Sequence, residues 1–82
     1  MPYYVYMIKN IDRIKSKTYV GFTTDLKRRI LQHNTNKGAK STKGYKWQLI
    51  YKKRLYDKSL AMSFEYKLKK DLKKRKYLLS IN

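Results

Sequence analysis

The sequence has no cysteine, a single histidine, a single glutamate and five acidic residues in all. Without cysteine there is no disulfide, no thiolate zinc site and no thiol nucleophile. The same absence agrees with a reducing compartment. No apolar run approaches the ~20 residues that a membrane-spanning helix requires. The opening MPYYVYMIKN lacks a basic segment ahead of an apolar one and does not read as a signal peptide. Acid is the scarcest commodity. Five carboxylates face 22 lysines and arginines, for a net charge of +17. Self-repulsion at that level opposes folding, and a polyanionic partner relieves it. Nucleic acid is the first candidate. A membrane surface is disfavoured because no long amphipathic helix with tryptophan anchors is present. Charge alone gives affinity for phosphate and specifies no chemistry.

A length of 82 residues allows one domain, taken as residues 1–82. So small a domain buries little surface, so most of its apolar residues must be structural. YYVYMI (3–8) alternates and is rich in aromatics, which predicts a strand. The polar stretch KNIDRIKSK (9–17) closes a hairpin onto a second strand, TYVGFT (18–23). Thr24 or Asp25 caps a helix running to about Asn34, since their side-chain oxygens satisfy the free N–H groups of a first turn. TNKGAKSTKGYK (35–46) has two glycines, four lysines and no periodicity, and predicts a mobile loop. WQLIYKKRL (47–55) reads as a third strand. Asp57 or Ser59 caps a second helix through about Lys73, and KKRKYLLSI (73–81) forms a short final helix or turn. The order β-β-α-β-α(-α) predicts an α/β (α+β) sandwich: a three-stranded, largely antiparallel central sheet flanked by helices. Three strands with helical cover are about the minimum for independent stability.

On the first helix, an advance of ~100° per residue places Leu26, Arg29, Ile30 and His33 on one arc and turns Arg28 and Gln32 away. An inward arginine in a tiny core is costly unless an anion or acceptor meets it. The competing reading is that Arg29 snorkels to solvent. His33 has a bland role available too, as a helix-end residue favouring the C-terminal dipole. On the second helix, Leu60, Ala61, Phe64, Leu68 and Leu72 make the apolar face, with Glu65 at its border. Glu65 suits a hard cation such as Mg²⁺, which needs only one or two carboxylates beside water and phosphate oxygens. It equally suits an i,i+4 ion pair with Lys69. Asp71 is the rival carboxylate. In the hairpin, Tyr4, Tyr6 and Ile8 share one face of the first strand, and Tyr19 and Gly21 share one face of the second. Gly21 leaves a gap beside Tyr19 where a ligand backbone can approach.

These residues, in this order, resemble the GIY-YIG nuclease family. Tyr4-Val5-Tyr6 matches the first motif, with Tyr4 where the family has glycine, and Tyr19-Val20-Gly21 matches the second. DLKRRILQHN looks like the family helix with its arginine at Arg29 and its histidine at His33. Glu65 in SFEYKLKK matches the metal-binding glutamate of the later helix. NKGAKST and AMSFEYKLKK further resemble small stand-alone bacterial members, so the likeness runs over roughly residues 3–80. The resemblance implies a phosphodiesterase site of Tyr6, Tyr19, Arg29, His33 and Glu65, with Mg²⁺ or Mn²⁺ held by Glu65. It implies Arg29 on the scissile phosphate, Tyr6 as general base with His33 as its rival or supporting partner, and Tyr19 on the water or phosphate.

The expected function is therefore metal-dependent nicking of DNA. No base-reading element is evident, so cleavage is expected to follow DNA structure rather than sequence, as in repair or recombination. The alternative is a noncatalytic RNA- or DNA-binding protein, for example a ribosome-associated module. Gly21, Arg28, Lys37, Lys40, Lys43 and Lys46 are the expected nucleic-acid contacts. A cytoplasmic, nucleoid-associated monomer or weak homodimer is the expected form.

Overall fold

β1 (Tyr3–Asn10) is the middle strand of an antiparallel sheet of order β2-β1-β3, with β2 at Thr18–Thr23 and β3 at Trp47–Leu55. The computed structural model describes residues 1–12 and 14–82. α1 (Leu26–Asn34) lies against one face of the sheet, while α2 (Lys58–Lys70) and α3 (Leu72–Ser80) lie against the other. The α+β order β-β-α-β-α-α agrees with the sequence reading.

Side chains alternate between faces along a strand, yet Val5, Tyr6, Met7 and Ile8 are buried in succession. The reason is that both faces of β1 are covered. Val5 and Met7 join Val20, Ala61, Leu68 and Leu78 under α2 and α3. Tyr6 and Ile8 join Trp47, with Tyr19, Leu26 and Ile30 packed on them, under α1. The two faces are therefore two small cores sharing one strand. Across the hairpin Tyr6 pairs with Gly21 and Ile8 with Tyr19. On the other side Met7 pairs with Tyr51 and Ile8 with Leu49, so Ile50 is the extra residue of a bulge.

Aspartates set the helix starts. Asp25 Oδ1 accepts the Arg28 N–H at 3.1 Å, Asp57 Oδ1 accepts the Ser59 N–H at 2.7 Å, and Asp71 Oδ1 accepts the Lys74 N–H at 3.0 Å. The third cap changes the expected second helix. It stops at Lys70 rather than Lys73, because Asp71 leaves helical geometry (φ −89°, ψ 84°) and starts α3. Leu72 is consequently the first residue of a new helix and is 60% exposed, not part of the α2 apolar face. Leu60 is exposed as well. Asp71, the rival carboxylate, is exposed and committed to this cap.

Loss of such a cap costs about 1 kcal/mol. Asp71→Ala is expected to lower the thermal midpoint by about 4–8 °C, the shift that such a loss produces in a domain of this size, and Asp71→Asn much less. Calorimetry or a circular-dichroism melt checks both.

Candidate active site

Tyr6 projects from the middle strand toward α1, where its hydroxyl lies 2.7 Å from His33 Nε2. Both residues are buried, Tyr6 to 1% exposure and His33 to 0%. Room for the phenol comes from the facing strand: a Cβ at position 21 would lie 2.7 Å from the Tyr6 oxygen. The gap at Gly21 is thus filled by Tyr6, and Gly21 is itself buried. That corrects its reading as an open approach for a ligand backbone. Tyr19, one turn of the pleat away, brings its ring to 5.0 Å from the His33 ring and 6.4 Å from that of Tyr6.

α1 delivers two further groups. Asp25 caps it, and the helix presents Leu26, Arg29, Ile30 and His33 toward the sheet while Arg28 stays exposed. Arg29 is half-buried. Burial pulls its pKa down, but the Tyr6 and Tyr19 oxygens outweigh that and raise it, so the guanidinium stays charged. Gln32 does not point away as the helical wheel implied. It is half-buried, and its Oε1 accepts an Arg29 Nη1–H bond at 3.0 Å, which steadies the guanidinium. Beside Arg29 opens a cleft of about 320 Å³ lined by Thr23, Thr24, Arg28, Arg29 and Gln32 among others.

The environment separates the two titratable groups. Burial is the chief cause that pushes Tyr6 up to about 12; Arg29 opposes the rise, and Tyr19 and Glu65 add to it. Burial and then Arg29 hold His33 down to about 4. Glu65, on the helix that packs against the other face of the sheet, is the weakest of these influences on Tyr6. Its side chain is 18% exposed and pairs with Lys69 Nζ at 3.3 Å, the i,i+4 pair that the sequence allowed. Among the described residues no three His, Cys, Asp or Glu side chains converge. One hard, half-buried carboxylate is still a donor set that fits Mg²⁺ or Mn²⁺, because such ions keep water and take substrate phosphate oxygens.

The segment between α1 and β3 proves anchored rather than simply mobile. A 3₁₀ turn, Lys40–Thr42, buries Thr42 completely. Thr42 Oγ1 lies 3.0 Å from His33 Nδ1, and the Thr42 carbonyl accepts the Trp47 indole N–H at 2.9 Å. Asn34 bonds the Trp47 backbone through both side-chain atoms, at 2.6 Å and 3.2 Å. A Cβ on Gly38 would lie 2.5 Å from His33 Nδ1. Nothing in the sequence pattern marks Thr42, Gly38 or Asn34 as part of a site. Thr and Gly in a lysine-rich loop read as turn formers. Lys37, Lys40, Lys43 and Lys46 are all exposed along this segment.

Because His33 is buried uncharged, the unfolded chain binds a proton between about pH 6.5 and pH 4 and the folded chain does not. His33 burial without charge is thus compatible with full stability above pH 6.5, and stability falls as pH drops through that window. We expect a loss of about 2 kcal/mol between pH 7 and 5, where carboxylates remain ionised. Urea unfolding across this range checks it, and His33→Gln is expected to flatten the slope.

A family model described as the GIY-YIG catalytic domain matches residues 2–78. The UPF0213 protein YhbQ of Salmonella arizonae is 40% identical over 76 residues, which is 92% of this chain and 73% of that protein. The protein of the same name from Escherichia coli K12 is 38% identical over the same share of each chain. The solution NMR structure of the UPF0213 protein BH0048 from Bacillus halodurans, at 36% identity, aligns over 100% of this chain and 86% of that one with a TM-score of 0.57. The matched residues include both hairpin motifs, the Arg29–His33 helix and Glu65, and on these grounds the chain belongs to the GIY-YIG family.

Proposed function

We propose that this domain is an endonuclease that hydrolyses single phosphodiester bonds of DNA with the help of Mg²⁺ or Mn²⁺ bound through Glu65. The observation that supports the reading is the buried Tyr6–His33 hydrogen bond, with the Tyr19 ring against His33 and with Arg29 lining an open cleft; Glu65 acts on Tyr6 from α2. A core that only had to be stable would place leucine where it holds a phenol, an imidazole and a guanidinium.

Tyr6 is a poor base by itself: with a pKa of about 12, about one molecule in 10⁵ is ionised at pH 7. Its hydroxyl does not need to ionise in advance. As a water attacks phosphorus, the water proton moves to Tyr6 Oη while the Tyr6 proton moves to His33 Nε2. The new P–O bond forms, the bridging P–O bond breaks, and the leaving oxygen takes a proton from solvent. His33 becomes an imidazolium, which burial and Arg29 both disfavour. A phosphate seated on Arg29 offsets the second of these. Arg29 meets the charge that grows on the phosphate oxygens, an electrostatic role often worth several orders of magnitude in rate. Tyr19 orients the water or phosphate. The metal, when bound, supplies Lewis-acid stabilisation of charge on the phosphate and leaving oxygens.

Arg28 and the lysines at 37, 40, 43 and 46 hold the backbone on either side without reading bases. Branched, nicked or single-stranded DNA is then the substrate class, and repair or recombination the setting.

Single-turnover cleavage at saturating protein separates catalysis from binding. Arg29→Ala is expected to slow cleavage by about 10²-fold or more, with incomplete rescue by lysine, which lacks the planar fork. Arg28→Ala should slow it little. Equal rates for the two alanine variants, each shown to be folded, would leave phosphate binding as the sole role of Arg29.

Glu65→Gln is expected to abolish cleavage and leave DNA binding unchanged or slightly tighter, since a negative charge beside phosphate is removed. Its exposed Lys69 pair contributes only about 0.2–0.5 kcal/mol, so unfolding does not account for the loss. Cleavage that survives in Glu65→Gln and disappears in Asp71→Asn would transfer the metal role to Asp71.

A further inference from the structure

The protons of the Tyr6–His33 bond can be counted. His33 Nε2 faces Tyr6 Oη at 2.7 Å, and Nδ1 faces Thr42 Oγ1 at 3.0 Å. A neutral imidazole carries one proton, so one nitrogen donates and the other accepts. One observation decides which. The Thr42 hydroxyl lies 2.7 Å from the Ala39 carbonyl, which can only accept, so its proton goes there and its oxygen is left to receive. That end requires one state: Nδ1–H donates to Thr42 Oγ1, and bare Nε2 accepts from Tyr6.

We infer that Thr42 is a positioning residue for catalysis, which fixes His33 as the Nδ1–H tautomer and so keeps Nε2 free to take the Tyr6 proton. It is built to be the sole acceptor at Nδ1. Thr42 is fully buried, and its carbonyl is tied to the Trp47 indole and its backbone N–H to the Ala39 carbonyl at 3.0 Å. Gly38 closes over Nδ1 from the other side, where a single added carbon would reach 2.5 Å from it. The basic loop therefore has a task besides phosphate contact: it holds the proton acceptor in its working form. With the opposite tautomer, Nε2–H would point at Tyr6 and the pair could accept no proton from water.

This inference rests on the reading of Tyr6 and His33 as the proton-handling pair, but its first test needs no cleavage. His33 is the only histidine, so a long-range ¹H–¹⁵N spectrum of the labelled domain shows one imidazole. The expected wild-type pattern is a protonated Nδ1 and a bare Nε2. Thr42→Val keeps the shape and removes the acceptor; it should convert His33 to Nε2–H and slow single-turnover cleavage by about 10²-fold with DNA affinity unchanged. Thr42→Ser restores the hydroxyl and should restore both the tautomer and the rate. Nε2–H in the wild type, Nδ1–H retained in Thr42→Val, or a serine variant that behaves like valine each overturns the inference. If Thr42→Val fails to fold, the wild-type and Thr42→Ser spectra still decide it. A Thr42-dependent tautomer in a wild-type domain that cuts no DNA structure supports the tautomer lock and overturns the nuclease reading.

Discussion

The hydrogen bond between the Tyr6 hydroxyl and His33 Nε2 is the constraint to which the surrounding structure conforms. It joins the central strand to α1 inside a core, where an unpaired phenol or imidazole would cost about 1–3 kcal/mol. To make it, β2 must carry glycine opposite Tyr6, or the ring has no seat. The loop must carry glycine over His33 and place an acceptor at Nδ1. The indole of Trp47 must hold that acceptor in place. A bond so buried also explains why the two groups are driven apart in pKa, Tyr6 upward and His33 downward. Each is thereby kept neutral near pH 7.

The scarcity of acid organises the rest. Of five carboxylates, Asp25, Asp57 and Asp71 each start a helix. That use neutralises little of the net charge of +17 and leaves two carboxylates, Asp12 and Glu65, of which Glu65 acts on Tyr6. A phosphodiester backbone would relieve the repulsion that the folded chain retains.

Much of the fold was legible from residue pattern because it is set by local rules. The β2 and β3 boundaries and an α1 capped at Thr24 or Asp25 follow from strand composition, turn residues and capping chemistry; the structure matches the boundaries and selects Asp25 as the cap. Where a longer-range effect won, the pattern misled. Lys73 continued the helical periodicity of α2, but the Asp71 cap ended it three residues earlier. YYVYMI alternated, yet it is buried on both faces because helices cover both. Gln32 sat on the outward arc of the wheel, yet it reaches back to Arg29 because a long side chain is not confined to its Cα direction.

For the candidate site, the sequence by itself determined which candidates share a face: the strand period sets Tyr6 and Tyr19, and the helical period sets Arg29 with His33. It was the resemblance to the family's ordered motifs that joined them with Glu65 into one candidate set, because periodicity alone also allowed a solvent-reaching Arg29, a helix-end His33 and a Glu65 paired with Lys69. Only the tertiary structure decided what Gly21, Gly38 and Thr42 do. A glycine under a phenol, a glycine over an imidazole and a threonine at Nδ1 are contacts between segments far apart in the chain or inside an irregular loop. No period links such positions, and proximity in space alone gives them their roles.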